Sequence, residues 1–229
     1  LIGLAILSCS SDDDNGTDDQ TPEETTKLLK KMTISGNGNY SLTFFYNPDE
    51  KLDRIESAEA GDEFIKQFYY ENGALERAEF QDLNGVSNGS IEQYVYNNGL
   101  LTERQDFYNN TILDERFLYS FTNSNIDIIQ YIGNGQTTYS KHNYLNTAIS
   151  DQELTFTYDT NKSPFLNFQP NIVLIDDFFS FNNNPTSLIL RDLSNNTVIS
   201  VKNYNYTYDS DNYATSRTDG TETITFEYY

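Results

Sequence analysis

The chain has 229 residues, 14 of them Lys or Arg and 35 Asp or Glu, so its formal net charge at pH 7 is −21 with the single His neutral. It has one Cys, one Met and no Trp, but 18 Tyr and 15 Phe. One Cys excludes an internal disulfide and a Cys-based zinc site. One His excludes His-rich metal centres, and the acidic balance argues against nucleic acid as a partner.

The first nine residues combine a short apolar run, residues 1–7, with Ser8 and Cys9. Seven residues are too few to span a bilayer as a helix, which takes about 20, and the run is typical of the end of a signal peptide. Residues 6–9 resemble a bacterial lipobox, which implies that Cys9 is the lipid attachment residue and the mature N-terminus. The alternative is an incidental or buried Cys that follows an apolar strand.

Residues 10–27 form an acidic segment behind this Cys. Residues 10–24 hold seven acidic side chains, no basic one and no large apolar one, which predicts a disordered tether with a reach of roughly 20–25 Å. Ser10, Ser11, Asp12, Asp13 and Asp14 resemble the surface-export signal of Bacteroidetes lipoproteins, which implies a domain that faces outward from the outer membrane. The alternative is a plain spacer on a periplasm-facing lipoprotein.

Residues 28–229 predict one β domain. Apolar and polar side chains alternate with period 2 over residues 42–46, 154–158, 204–208 and 224–228, as they do in strands with one buried face. Aromatic and Thr side chains, which favour pleated surfaces, fill these segments. Residues 165–181 are ambiguous between a short helix and an irregular crossover.

Tight-turn pairs divide the predicted strands. These pairs, which tolerate positive φ, are Asn72-Gly73, Asn98-Gly99, Asn134-Gly135 and Asp219-Gly220. The aromatic residues before successive turns, at positions 46, 70, 96 and 121, are spaced by 24, 26 and 25 residues. One hairpin in each period of about 25 residues predicts an all-β antiparallel meander, either one long curled sheet or a half-open barrel-like wrap.

The pattern of Tyr-x-Tyr-Asp/Asn, a turn, Gly and x-Leu resembles the YD-type repeats of large bacterial surface and toxin-shell proteins. With the lipobox and the tether, the hairpin copies resemble more closely the uncharacterised Bacteroidetes surface lipoproteins that have a porin-like β fold. Residues 156–165 and 182–188 resemble two signatures of that family, with Ser163 in place of an Asn. The resemblance covers nearly the whole chain and implies no activity.

Few residues are candidates for catalysis. His142 lies on a predicted strand between polar neighbours, with no nucleophile-elbow pattern and nothing to orient it. Asp176 and Asp177 stand beside Phe178-Phe179 in the ambiguous segment, where apolar surroundings can raise a carboxyl pKa. This pair is the possible ligand site, and its alternative is a polar turn at the end of a crossover.

The remaining acids predict solubility and edge protection. Glu76, Glu79, Glu92 and Glu103 alternate along strands and are predicted to face outward. The turn that starts at Asp209 begins like a calcium loop, but its position 12 is Gly220 instead of Glu, so the EF-hand template fails and only a weak surface cation site is left open. No phosphate-binding Gly motif is present in the sequence.

The sequence therefore predicts a lipid-anchored, non-enzymatic protein of the outer membrane that faces the cell exterior. We expect a binding or structural role, the membrane as a partner through the lipid, a glycan or envelope protein as a further partner, and no cofactor or metal. Three alternatives stay open. The protein is a carbohydrate-binding accessory lipoprotein, a hydrolase that uses two carboxylates, or a true membrane barrel, for which many strands look short.

Overall fold

The computed structural model describes residues 26–36, 38–59, 63–122, 125–132, 137–143, 146–149, 152–169, 183–192 and 195–229. These residues form strands and turns, with no helix among them. The strands are β1 (Leu29–Ser35), β2 (Tyr40–Tyr46), β3 (Leu52–Glu59), β4 (Phe64–Glu71), β5 (Ala74–Gln81), β6 (Ser87–Asn97), β7 (Leu100–Tyr108), β8 (Ile112–Thr122), β9 (Asn125–Ile132), β10 (Thr137–Asn143), β11 (Asn146–Ile149), β12 (Gln152–Tyr158), β13 (Pro185–Asp192), β14 (Thr197–Asn203), β15 (Asn205–Tyr208), β16 (Ala214–Thr218) and β17 (Thr223–Tyr228).

The strands build an antiparallel meander in two sheets. Thirteen strands follow the order β10-β9-β8-β7-β6-β5-β4-β3-β2-β1-β17-β16-β15, and four follow β11-β12-β13-β14. The large sheet is open, because β10 and β15 are its edges. The predicted all-β antiparallel meander is confirmed, and the last strand of the chain pairs with the first.

Turn chemistry sets the hairpins as the sequence predicts. Asn72 and Gly73 join β4 to β5 with φ angles of 50° and 82°, and Asn98 and Gly99 join β6 to β7 with 51° and 79°. Both pairs have positive φ at the two central turn positions, which Asn and Gly adopt at low cost. The pair Asn134-Gly135 lies outside the described residues. Of the ambiguous segment, residues 165–169 form turns and the rest lies outside the described residues.

The same bulge occurs in three successive hairpins. The register of β2 with β3, of β4 with β5 and of β6 with β7 shifts by one residue beside Tyr46, Tyr70 and Tyr96. The extra residue lies in the second strand, directly after Leu52, Leu75 and Leu101. Because a bulge shifts the alternation by one residue, each Leu and the residue three positions later face the same side of the sheet. We call this side the core face.

The main apolar core lies on the core face at the start of β1. Phe168, which is 1% exposed, sits among aromatic rings: its centroid lies 5.2 Å from that of Phe44, 5.4 Å from that of Phe165 and 6.0 Å from that of Tyr46. The Tyr46 hydroxyl donates a 2.8 Å hydrogen bond to the Leu29 carbonyl, which satisfies its polar end. The turns of residues 163–169 thus close this end of the sheet.

The close approach of two turns makes Gly36 sensitive to substitution. Gly36 has a φ of 119°, and a Cβ there would lie 2.3 Å from the carbonyl oxygen of Thr221. Gly99 also has a positive φ, but a Cβ there would meet nothing within 4 Å. We expect Gly99→Ala to lower the free energy of unfolding by about 1–2 kcal/mol, and Gly36→Ala by at least about 1 kcal/mol more. Urea unfolding followed by Tyr fluorescence measures both, and equal losses would contradict the clash.

Candidate functional site

Most residues singled out from the sequence lie outside the described residues. These are Cys9, the export residues 10–14, and the pair Asp176 and Asp177, and their roles remain predictions. His142 lies on β10, where its backbone pairs with Ile128 of β9.

The oxygen-rich turn after β15 forms ion pairs with Lys27. The Lys27 ammonium lies 2.8 Å from a carboxylate oxygen of Asp209 and 2.6 Å from one of Asp211. Burial alone would raise the pKa of Asp209, but hydrogen bonds from Lys27 and from the backbone N–H groups of Tyr213 and Asp211 hold this pKa below its usual value. Lys27 thus pairs with two carboxylates of this turn and fixes the chain just ahead of β1.

The two segments that support the family resemblance meet in space. A carboxylate oxygen of Asp159 accepts a 3.0 Å hydrogen bond from the backbone N–H of Asn184, and the carboxylate also accepts one from the Tyr208 hydroxyl. The pKa of Tyr208 is raised to about 12, mainly by burial and secondly by this hydrogen bond to Asp159. These bonds join the small sheet to β15. The role that the structure gives these residues is therefore structural.

Four charged side chains lie on the core face of β4, β6 and β7, and we call them the charged network: Lys66, Glu92, Arg104 and Asp106. The Lys66 Nζ atom lies 3.0 Å from Oε1 of Glu92, with the two side chains 4% and 8% exposed. The Tyr94 hydroxyl donates a 2.6 Å hydrogen bond to Oε2 of Glu92. Arg104 contacts Asp106 through Nε and Nη2, each at 2.9 Å from a carboxylate oxygen. The network is thus two ion pairs, of which Lys66–Glu92 is buried and Arg104–Asp106 reaches the surface through Asp106, whose side chain is 24% exposed.

Aromatic rings cover the two cations of the charged network. The Lys66 Nζ atom lies 5.2 Å from the ring centroid of Phe80 and 5.7 Å from that of Phe68, and the Arg104 guanidinium lies 4.1 Å from that of Phe117. A cation within about 6 Å of a ring face is attracted by the ring quadrupole. The rings therefore partly replace the water that the cations lose.

Glu92 is ionised within this network. Burial alone would raise the pKa of its carboxyl, but the charges of Lys66 and Arg104 and the hydrogen bonds from Tyr94 and Lys66 outweigh burial and hold the pKa below its usual value. The carboxylate therefore keeps its charge at neutral pH, even though its side chain is almost fully buried.

The predicted outward orientation of Glu92 was wrong. Glu92 is 6% exposed and lies on the same side of β6 as Tyr94. Alternation along the strand already assigns both residues to one face, and the charged character of Glu92 does not change that assignment. The other three acids of that prediction are partly or fully exposed, in agreement with it.

The charged network could have been found by aligning the sequences of the three hairpins on their bulges and comparing equivalent positions. Lys66 and Glu92 each lie four residues before the Tyr beside the bulge, which is the position of Leu42 in the hairpin of β2 and β3. Arg104 lies three residues after a core Leu, which is the position of Ile55 in that hairpin. Apolar residues in one hairpin are thus replaced by charged residues in the next two.

A cleft of about 200 Å³ adjoins the charged network. Its lining residues include Glu92, Asp106, Asp114, Phe80, Phe107 and Tyr108. The register pairs Asp106 with Glu115 and Phe107 with Leu113, so a bulge leaves Asp114 without a cross-strand partner in the ladder. Bulges of this kind redirect a side chain next to a site, and here the redirected carboxylate lines the cleft.

The cleft and Lys27 lie at opposite ends of the strands. Successive strands are antiparallel, so β1 and β7 run in the same direction. Lys27 precedes the first residue of β1, whereas Asp106, Phe107 and Tyr108, which line the cleft, are the last residues of β7. The chain therefore enters the domain at one end of the large sheet, and the cleft opens near the other.

Two features are absent from the part of the chain that the structure describes. No three or more His, Cys, Asp and Glu side chains are grouped there as metal ligands would be. Nor does any helix in the described ranges have the length and apolar character needed to cross a membrane.

No protein-family model and no curated protein matches this sequence. Two solved structures of porin-like proteins are similar to the chain. The one from Bacteroides uniformis ATCC 8492 is 14% identical, with a TM-score of 0.42, over 91% of this chain and 100% of its own. The one from Bacteroides vulgatus ATCC 8482 is 14% identical, with a TM-score of 0.45, over 89% of this chain and 99% of its own. Likeness at this level transfers neither a site nor a function.

Proposed function

We propose that the chain is a lipid-anchored cell-envelope protein whose β domain binds a small ligand without chemical turnover. In this proposal Cys9 bears the lipid, the acidic residues behind it direct the domain to the cell exterior, and residues 10–27 are the tether. The sequence support is the apolar run that ends at Cys9 and the acidic tail that follows. A diacyl anchor binds membranes by burying its two hydrocarbon chains.

The position of the cleft relative to the tether is the observation that supports a binding role. Lys27, held by Asp209 and Asp211, is where the tether joins the domain. The cleft opens near the opposite end of the strands. In this proposal the membrane lies at the Lys27 end of the strands, and the cleft remains open to the surrounding medium.

Replacing the proposed lipid attachment residue tests the anchor. In cells that process lipoproteins, we expect the unsubstituted protein in the outer-membrane fraction and the Cys9→Ala protein in the soluble fraction, because the thioether-forming side chain is lost. Immunoblots of the two fractions measure the distribution. Ser10→Ala, next to the Cys but without the thiol, is the matched control and should fractionate as the unsubstituted protein does. Unchanged membrane association of Cys9→Ala would overturn the proposal.

The orientation is tested in the same cells. Replacing Asp12, Asp13 and Asp14 together with Ala should protect the domain from protease added to intact cells, while membrane association persists. Digestion that remains as fast as in the unsubstituted protein would contradict an export role for these acids.

A further inference from the structure

We propose that the cleft at the ends of β6, β7 and β8 binds a neutral carbohydrate ring. This inference rests on the proposed binding role and names its ligand class. The cleft combines carboxylates with aromatic rings. Carboxylates accept hydrogen bonds from hydroxyl groups, and aromatic faces pack against the C–H faces of a sugar ring.

Two of the three carboxylates that line the cleft are already paired with cations of this chain. Glu92 and Asp106, which both line the cleft, are already paired with Lys66 and Arg104, so the charged network has no net charge. An organic cation would meet only one lining carboxylate outside the charged network, Asp114, which can equally accept a hydrogen bond from a sugar hydroxyl. A carboxylate has about four acceptor positions, so the ion-paired Asp106, whose side chain is 24% exposed, can still accept a hydrogen bond from a hydroxyl.

A gain in folding stability does not explain why charged residues occupy these core positions. Burying an ion pair is often no better for stability than packing apolar residues of similar size. The chain itself shows that apolar residues fit, because Leu42 and Ile55 fill the corresponding positions of the hairpin of β2 and β3. Three hairpins share the bulge, and only the two beside the cleft have charged residues at these positions. The charges are therefore linked to the cleft and are not a general feature of the sheet.

The rim of the cleft is held in place by close backbone packing. The Gly89 carbonyl accepts a 2.7 Å hydrogen bond from the backbone N–H of Asn110, and a Cβ on Gly89 would lie 3.2 Å from the Cα of Asn109. This contact fixes the turn after β7 against the start of β6. Tyr108, which is 55% exposed, precedes the turn and offers an open ring face.

The size of the cleft limits the ligand. About 200 Å³ is below the roughly 300–1,000 Å³ of pockets that enclose drug-sized ligands. The cleft therefore fits one sugar ring, free or at the end of a longer glycan. The open side next to Tyr108 and Asp114 leaves room for the remainder of such a chain.

Calorimetric titration of the purified full chain tests the inference. The neutral probes are the methyl glycosides of glucose, galactose, mannose and N-acetylglucosamine, and the charged probes are glucosamine, glucuronate and tetramethylammonium. We expect saturable binding of at least one neutral glycoside, weaker by about tenfold or more in Asp114→Ala and in Tyr108→Ala, since each loses one main contact. Leu100→Ala, exposed at the other end of β7, is the control and should bind as the unsubstituted chain does.

Three results would overturn the inference: no saturable binding of any neutral glycoside, tighter binding of a charged probe, or equal affinity of the Asp114→Ala and Tyr108→Ala variants and the control. None of these depends on Cys9. Loss of the carbohydrate inference would therefore leave the membrane fractionation intact, and failure of the anchor would leave the titration intact.

Discussion

Replacing Lys66 with Leu should lower the free energy of unfolding by about 3–5 kcal/mol, because it leaves the Glu92 carboxylate buried without the cation that contacts it. Lys66 lies 3.0 Å from Glu92, and both side chains are more than nine-tenths buried. Urea unfolding at neutral pH, followed by Tyr fluorescence in a chain without Trp, measures the loss. A loss below about 1 kcal/mol would contradict the burial of a Glu92 carboxylate that lacks the Lys66 charge in this variant.

A companion variant separates the loss of the partner from the loss of the pair. It replaces Lys66 and Glu92 with Leu and Tyr94 with Phe, which are the residues that Leu42 and Phe44 supply in the hairpin of β2 and β3. Exchanging a buried ion pair for apolar residues is often neutral or stabilising, so we expect most of the stability lost in Lys66→Leu to return. If the companion is as unstable as Lys66→Leu, the charges stabilise the sheet and the reason for linking them to the cleft is lost.

The pH dependence of the same proteins has a definite sign. Because the pKa of Glu92 in the folded protein lies below its usual value of 4.5, its ionised form stabilises the fold above that value. This contribution is lost as the pH falls through the folded-state pKa. Between pH 7 and pH 3 the unsubstituted protein should therefore lose more stability than the companion variant, which lacks the carboxylate.

Removing the Phe168 ring should cost about 3–5 kcal/mol in Phe168→Ala, because the cavity left behind is surrounded by other rings. Phe168 is 1% exposed and contacts Phe44, Tyr46 and Phe165. The backbone at Gln169 also accepts a 2.9 Å hydrogen bond from Leu52, so loosening the turn weakens the start of β3. Urea unfolding measures the loss.

The control for this substitution is Leu100→Ala, which removes an apolar side chain that is 59% exposed. We expect it to change the stability by less than about 0.5 kcal/mol. Phe168→Leu should fall between the two, because it keeps part of the buried volume. A similar small change in all three variants would mean that residues 163–169 do not pack firmly against the sheet.

The strands and turns follow from local patterns, so the sequence predicts them. Asn72-Gly73 and Asn98-Gly99 adopt the positive φ angles that their turns require. The residues between these turns alternate between apolar and polar side chains and form antiparallel strands. The pairing of β1 with β17 is different, because no local pattern links residues 29–35 to residues 223–228. Such a pairing is decided by the collapse of the whole chain.

The site is less predictable than the fold, for two physical reasons. Arg104 faces the core only because a bulge shifts the alternation after Leu101, and a period-2 pattern without that bulge assigns it to the other face. The cleft needs residues from four strands and a second bulge at Asp114, and neither has a signature in sequence. Glu92, by contrast, could have been placed correctly from its spacing to Tyr94.

The pairing of β1 with β17 also sets the order in which the domain can be completed. A protein that leaves the ribosome or a translocation pore from its N-terminus exposes β1 long before β17. Until residues 223–228 have emerged, β1 lacks one of its two neighbours, and it lies inside the large sheet, not at its edge. Contacts between distant parts of a chain form slowly. The domain therefore cannot be completed before residues 223–228 have emerged, and a chain that stops ahead of them lacks a strand from the interior of its large sheet.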